Sequence, residues 1–343
     1  MRVGIGFNTD LPVSQIVHYI QLAEELRFDS FWLHEHSFSR DALSFVTSAS
    51  ESTKRIGLGV GCVSAYTRHP IVLAMSFLTL NESSQGRAMM GIGTGFPMRL
   101  DLMGVKHDKP IGAVKETIEI CRSIWNGELV NYQGQTYSIK NVKALTGKTA
   151  SKIPIYIAGW KKMMLAITGK YADGYIAKGG ESPQSLKRLV SGIRSSAEKN
   201  HRRIEEIDIS AYLLTFVGET QSEALARAKK DPFVNYMLSV QDDYLYEETG
   251  IDPTLKKPIA ENYFKGNVAE ASSHVTDEMI EAFTLVGTAE QVTERVREYQ
   301  RSGLNLAILQ PISLKTEEIQ SVLKAGSILK EENRSDLMPP LER

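Results

Sequence analysis

The chain has 343 residues, with 40 lysines and arginines against 41 aspartates and glutamates and a formal charge of -1. This balance argues against nucleic acid or an anionic membrane as a partner, and no apolar run reaches the length of a signal peptide core or a membrane span. Two cysteines, Cys62 and Cys121, lie far apart in unlike contexts, which predicts a reducing, cytoplasmic location.

Strand-like and helix-like segments alternate along the chain, as is typical of βα units that build a parallel sheet. In the first helix, Ile16, Ile20 and Ala23 recur at helical spacing, and Ser14 is a plausible cap. The predicted elements, in chain order, are 3–7, 14–27, 30–33, 41–50, 56–63, 70–83, 88–93, 111–125, 155–158, 161–170, 174–177, 183–199, 207–217, 306–310 and 315–329. Together they predict an α/β fold: one (β/α)8 TIM barrel domain with insertions, over residues 1–330.

Two stretches interrupt the alternation and read as insertions, because neither has enough apolar residues for a core of its own. Residues 126–152 contain two alternating segments around a glycine turn, which predicts a surface hairpin. Residues 231–283 are rich in tyrosine and acidic side chains and are expected to form either a cover over the barrel mouth or a plain packing excursion. Residues 331–343 read as a polar tail.

Three alternate glycines, Gly91, Gly93 and Gly95, follow an apolar run at the point where a strand meets a loop. Without Cβ atoms the backbone can approach a flat ring or a phosphate closely, although an isolated triplet can also be a tight strand exit. A dinucleotide fingerprint would need a glycine in place of Phe96 and an acid after the next strand. The pattern therefore argues against a Rossmann fold.

Reactive groups of an α/β barrel lie in the loops after the strands, so those loops are informative. Ala158-Gly159-Trp160-Lys161-Lys162 places a glycine and two lysines at a helix start, where a phosphate could bind, and Lys178-Gly179-Gly180 could add to it. A solvated lysine face is the alternative. His34 and His36 have a spacing compatible with a metal, but no third ligand is evident, so we predict no metal site.

Several short motifs, taken in order and spacing, make the chain similar to the bacterial luciferase-like superfamily, and within it to deazaflavin-dependent oxidoreductases such as the methylenetetrahydromethanopterin reductases. The resemblance covers most of the chain. It rests on Val3-Gly4-Ile5, Ala23-Glu24-Glu25, Phe28-Asp29, Glu35-His36 where the family usually has Asp-His, Leu58-Gly59-Val60-Gly61, Tyr66-Thr67-Arg68-His69-Pro70, Gly86-Arg87-Ala88, Gly91-Ile92-Gly93-Thr94-Gly95, Ile153-Pro154-Ile155-Tyr156-Ile157, Ala172-Asp173-Gly174 and Gly287-Thr288-Ala289-Glu290.

This resemblance implies a homodimeric barrel that binds coenzyme F420 or FMN at its mouth. It also implies a non-prolyl cis peptide between Gly61 and Cys62, and a catalytic His36 that hydrogen-bonds or accepts a proton near the reacting carbon. Glu35 is expected to orient His36 or to support its charge. The candidate cofactor-binding residues are Gly61, Cys62, Ser64, Gly91, Gly93, Thr94, Gly95, Ala158, Gly159, Trp160, Lys161, Lys178 and Gly179.

The chain departs from the reductase pattern at two positions, where Gly6 and Phe96 replace acidic residues. The substrate pocket is therefore expected to be more apolar than in that family. Three functions stay open on the sequence. They are an F420-dependent oxidoreductase acting on a small organic substrate, an FMN-dependent monooxygenase supplied by a flavin reductase, and a non-catalytic flavin-binding protein.

Overall fold

A computed structural model describes residues 1–149 and 151–335 of the chain. The strands are β1 Arg2–Phe7, β2 Ser30–Leu33, β3 Gly57–Ser64, β4 Ala88–Gly93, β5 Val130–Gln133, β6 Ser138–Val142, β7 Ile155–Ala158, β8 Gly174–Ala177, β9 Asp208–Val217, β10 Leu285–Gly287 and β11 Leu306–Pro311. Parallel pairing runs β9-β11-β1-β2-β3-β4-β7-β8, and β8 pairs back onto β9. These eight strands therefore close into the predicted (β/α)8 barrel, and that prediction is confirmed.

Helices follow the barrel strands and cover the outside of the sheet. They are α1 Val13–Glu25, α2 Ala42–Ser50, α3 Pro70–Ser83, α4 Pro97–Leu102, α5 Pro110–Trp125, α6 Lys162–Tyr171, α7 Pro183–Lys199, α8 Gln221–Lys230, α9 Pro232–Val240, α10 Asp243–Thr249, α11 Lys256–Phe264, α12 Val268–Ser273, α13 Asp277–Phe283, α14 Ala289–Arg301 and α15 Thr316–Ser335. Ser14 does not cap α1, because the helix already begins at Val13 and Pro12 is the capping residue. The sequence analysis missed α4, α8, β10 and α14, and it assigned no helices to residues 231–283, where α9 to α13 lie. None of the described helices combines the length and hydrophobicity needed to cross a membrane.

The barrel interior is filled by large side chains that alternate with outward-facing residues along the strands. The buried inner cluster consists of Trp32, Tyr156, Ile176, Tyr212, Leu306 and Ile308. Glycines make room for these rings: a Cβ on Gly59 would lie 2.3 Å from the Trp32 ring, and one on Gly6 would lie 2.7 Å from the Tyr212 ring. The interior is therefore a packed core, and ligands are confined to the mouth.

The first insertion is the predicted hairpin, formed by antiparallel β5 and β6. Its turn is held by the carboxylate of Glu116 on α5, which accepts N–H bonds from Gln135 at 2.7 Å, Thr136 at 3.0 Å and Tyr137 at 2.9 Å. These charge-assisted bonds join the hairpin to the barrel, since isolated two-stranded hairpins are only marginally stable in water.

The second insertion is helical and contains more apolar residues than the sequence analysis expected. Helices α8 to α13 share a buried cluster consisting of Leu214, Phe216, Ala224, Ala228, Val234, Met237, Leu238, Leu245, Tyr246, Ile251, Ile259, Ala271, Val275, Met279, Ile280 and Phe283. The prediction that this segment lacks residues for a core is therefore wrong. Its helices are short, so no single one shows a long apolar stripe. Leu214 and Phe216 belong to β9, and they join this cluster to the barrel.

Candidate active site

A cavity of about 250 Å³ opens where β2, β3, β4, β7 and β8 end. Many of the predicted site residues meet there, because the carboxyl ends of parallel strands converge at one face of a barrel. The predicted residues that line the cavity are Glu35, Cys62, Ser64, Gly93, Thr94, Gly95, Ala158, Gly159, Trp160 and Lys178. Phe96, which the sequence analysis expected in the substrate pocket, also lines the cavity. Further lining residues that the sequence analysis had not proposed are Ser37, Val63, Arg99, Tyr175 and Ile176.

His36 lies beside this cavity and not in its wall. It lines an adjoining cavity of about 300 Å³, together with Arg68 and Met103. The two cavities share Glu35 and Ser37 in their walls. The site thus consists of two adjoining cavities. The glycine-rich loops line one of them and His36 lines the other.

The other predicted cofactor contacts lie outside the cavity wall. A Cβ on Gly61 would meet the Tyr212 hydroxyl at 2.8 Å, and one on Gly91 would meet the Val60 carbonyl at 2.8 Å. Both glycines therefore allow close packing beneath the cavity. Gly179 faces a side chain of β9, and Lys161 is exposed at the N-terminus of α6. These four positions do not line the cavity, and their contact with a cofactor stays a prediction.

The predicted cis peptide is present between Gly61 and Cys62. The pairing of β3 with β4 shifts register between Val60 and Val63, so the strand bulges at this point. The Tyr212 hydroxyl donates a 2.9 Å hydrogen bond to the Gly61 carbonyl from across the barrel interior. Burial, with the nearby Glu35 charge, raises the pKa of the Cys62 thiol to about 12, so the thiol stays protonated at neutral pH.

His34 supports the bulge from the interior side. Its ring lies against the Tyr212 ring, with centroids 3.9 Å apart, and its Nε2 lies 3.3 Å from Gln310 Oε1. Burial lowers the pKa of His34 to about 4, against a smaller opposing effect of the Gln310 bond, and the imidazole is neutral. Within the described residues, no group of three or more His, Cys, Asp or Glu side chains is placed to hold a metal ion.

The expected contact between Glu35 and His36 is not formed in the described structure. The Glu35 carboxylate accepts bonds from Arg68 instead, at 3.0 Å from Nε and 2.8 Å from Nη2, and Arg68 also pairs with Asp41. Glu35 therefore ties the β2 loop to the β3 loop and does not orient the imidazole. The sequence could not show this pairing, because the partners are 33 residues apart.

His36 Nδ1 accepts the N–H of Phe38 at 3.4 Å. Partial burial lowers the pKa of His36, and the positive charge of Arg99 lowers it further. The neutral ring is thus favoured at neutral pH, with Nε2 carrying its proton. A neutral imidazole at a barrel mouth can donate a hydrogen bond to a substrate oxygen.

Lys178 and Trp160, which follow β8 and β7, form part of the wall of the 250 Å³ cavity. The Lys178 Nζ lies 4.5 Å from the centroid of the Trp160 ring and donates to Gln241 Oε1 at 3.0 Å. Gln241 in turn donates to the Gly180 carbonyl at 2.6 Å, so the second insertion reaches the mouth of the barrel. No side chain within the described structure caps the N-terminus of α6. A cation beside uncapped helix N–H groups suits an anion such as a phosphate.

The structure explains both departures from the reductase pattern. The Tyr212 ring occupies the space that a side chain at Gly6 would need. Phe96 caps the short helix α4 and is 44% exposed at the cavity rim, with the Arg99 guanidinium carbon 5.6 Å from its ring centroid. The two positions therefore provide a filled interior and an apolar rim in place of two carboxylates.

Comparison with known proteins defines the family. A family model described as luciferase-like monooxygenase matches residues 1–306. The chain belongs to this luciferase-like family. The family resemblance that the short sequence motifs indicated is therefore confirmed.

Within the luciferase-like family, the chain is 33% identical over 305 residues to the 5,10-methylenetetrahydromethanopterin reductase of Methanolobus tindarius, covering 89% of this chain and 92% of that protein. It is 27% identical over 312 residues to the enzyme of the same name from Archaeoglobus fulgidus, covering 90% and 92%. The solved structure of the coenzyme F420 dependent tetrahydromethanopterin reductase from Methanopyrus kandleri superposes with a TM-score of 0.88 at 25% identity, covering 96% of this chain and 99% of that one.

Proposed function

We propose that this protein is an oxidoreductase that transfers a hydride between coenzyme F420 and a small organic substrate. The observation that carries the proposal is the cavity at the barrel mouth, which is lined by Gly93, Gly95 and Gly159 together with Trp160 and Lys178. It adjoins the cavity that contains His36. Its relatives support the cofactor, since a structure at 25% identity is described as coenzyme F420 dependent. The fold alone would not decide between the chemistries that luciferase-like barrels carry.

The residues present fit a flat, phosphate-bearing cofactor. Gly95 has a φ of +77°, and a Cβ there would lie 2.6 Å from Ser64 Oγ, so this part of the wall must be bare backbone. Lys178 and the uncapped start of α6 provide positive charge for a phosphate. When bound, the deazaflavin accepts or donates the hydride.

His36 is the residue proposed to act on the substrate. With Nδ1 accepting from Phe38, the neutral ring presents a proton at Nε2. A hydrogen bond from this atom would stabilise negative charge on a substrate oxygen during hydride transfer to a carbonyl carbon. The Glu35–Arg68 pair holds the loop that carries His36. Phe96 and Trp160 would limit the access of water to the reacting atoms.

The decisive test is a titration of the apoprotein with coenzyme F420 and with FMN at equal concentrations, in which binding is monitored by the quenching of cofactor fluorescence. Selective F420 binding, with turnover on a panel of pterins, alcohols and aldehydes, is the expected result. Preference for FMN with oxygen consumption would overturn the proposal in favour of a monooxygenase. Tight binding of F420 without turnover on any of the panel would favour a non-catalytic flavin-binding protein.

Two further properties belong to this proposal. We propose a cytoplasmic protein, supported by two cysteines that are both free thiols. We also propose a homodimer, on the strength of the family resemblance. Size-exclusion chromatography with light scattering would test the dimer, and a monomeric mass at micromolar concentration would contradict it.

A further inference from the structure

Arg99 differs from the other cations at the two cavities. Lys178 lies 3.7 Å from the Asp242 carboxylate, Arg68 pairs with Glu35 and Asp41, and Arg40 donates to backbone carbonyls. Across residues 1–149 and 151–335, by contrast, the Arg99 guanidinium has neither a hydrogen-bond acceptor nor an acidic partner. It lies in the cavity wall, only partly exposed, near the Phe96 ring. An unpaired guanidinium in a cavity wall offers a planar set of donors to an anion.

Several exposed apolar side chains lie on the segments that carry Arg99 and His36. Phe38, Phe96, Met98 and Leu102 are all more than two fifths exposed, and they come from the β2 loop and from the region of α4. Met103 lines the cavity that contains His36, and the Phe38 ring lies 6.3 Å from the His36 ring. Arg99 thus lies in a region of the barrel mouth that also carries several exposed hydrophobic side chains. A ligand that matches this surface has an apolar body and one anionic group.

Arg99 is also on the side of the mouth where the substrate is expected. It follows β4 and lines the cavity together with Glu35 and Ser37, which also line the adjoining cavity that contains His36. The cation expected to hold a cofactor phosphate, Lys178, follows β8 and lies over Trp160. Both cations line the same cavity, Arg99 from the segment after β4 and Lys178 from the segment after β8, and only Lys178 is assigned to the cofactor phosphate.

From this arrangement we infer that the substrate of this enzyme is an apolar molecule carrying a single carboxylate, which Arg99 binds while the reacting carbon lies near His36. This inference rests on the proposed function and narrows its substrate class. The planar guanidinium can hold both oxygens of a carboxylate through two parallel hydrogen bonds, and its single positive charge matches the single negative charge of that group.

The test uses phenylacetate and its neutral counterpart phenylacetamide, titrated calorimetrically into the apoprotein and into the F420-loaded protein. Wild type should bind phenylacetate about tenfold or more tightly than the amide, because a charge-assisted bond is worth more than a neutral one. Arg99→Met should remove that preference and leave the amide affinity unchanged. Arg99→Lys should retain part of it. Lys106→Met removes a positive charge from the exposed segment that follows α4 and should retain the whole preference.

Several results would overturn the inference. Equal affinity of wild type for the two probes, or no saturable binding of phenylacetate, would show that no carboxylate site exists. In another contrary outcome, Arg99→Met weakens the binding of F420 and leaves unchanged the binding of the deazaflavin chromophore without its phosphodiester side chain. Arg99 would then serve the cofactor. If F420 fails to bind wild type, the proposed function fails, while the titration of the apoprotein still decides the carboxylate site.

Discussion

Replacing Tyr212 with phenylalanine would test how the barrel interior supports the site. The hydroxyl is buried and donates a 2.9 Å bond to the Gly61 carbonyl, directly before the cavity-lining Cys62. Its removal leaves a buried carbonyl without this donor, at a cost of about 1 to 2 kcal/mol. With about 2.1 cal/mol/K of unfolding entropy per residue, a chain of 343 residues should show a thermal midpoint lower by about 1.5 to 3 °C.

The same change should also weaken F420 binding by about threefold or more, because the strand that forms the cavity wall is held less firmly. Tyr299→Phe is the matched control. Its buried hydroxyl donates a 2.7 Å bond to the Glu181 carbonyl, away from the cavity wall. Tyr299→Phe should lower the thermal midpoint to a similar extent and leave F420 affinity unchanged. Differential scanning calorimetry and fluorescence titration would measure the two quantities.

Two outcomes would refute this reasoning. If Tyr212→Phe binds F420 as tightly as wild type, the cross-barrel hydrogen bond does not support the cofactor wall. If Tyr299→Phe weakens binding equally, the loss reflects general destabilisation and not the position of Gly61.

Three further predictions concern side chains in or beneath the site. His36→Ala should lower kcat by about 100-fold or more with F420 affinity unchanged within a few-fold, and unaltered steady-state turnover would remove His36 from the mechanism. Lys178→Met should weaken the binding of F420 about tenfold more than the binding of the chromophore without its phosphate, as measured by fluorescence quenching. An equal loss of affinity for both ligands would show that the phosphate binds elsewhere. The pKa of His34 is about 4 in the folded protein and 6.5 in its ordinary state. As the pH falls from 6.5 to about 4, the imidazole is therefore protonated in the unfolded chain before it is protonated in the folded one, and the free energy of unfolding should decrease over this range. Thermal midpoints of His34→Gln should depend less on pH over the same range, and an unchanged slope would assign the effect to other groups.

Much of the site was predictable because strand ends can be read from local pattern. Gly93, Gly95, Ala158 and Trp160 each follow an apolar run, and the closure of a parallel barrel brings such ends to one face. The bulge at Gly61 was predictable only through family resemblance, since no local periodicity marks it.

The errors arose where the partner is distant in the chain. Tyr212 reaches the Gly61 carbonyl across 151 residues, and Glu35 pairs with Arg68 in place of its neighbour. The second insertion was misjudged for a related reason, because its short helices bury their apolar residues only against one another and against Phe216. Such contacts depend on how elements pack and not on the order of residues within one element.

The sequence by itself determined the alternation of strands and helices, the barrel they form, and several of the loops that line the cavity, because periodicity and glycine placement act over a few residues. Tertiary structure alone decided which side chains meet. Among the described residues it gave Arg99 no acidic or hydrogen-bonding partner, placed the Tyr212 ring beside Gly6, and paired Glu35 with Arg68. Burial and charge pairing depend on the closed barrel, in which residues far apart in sequence share one desolvated volume.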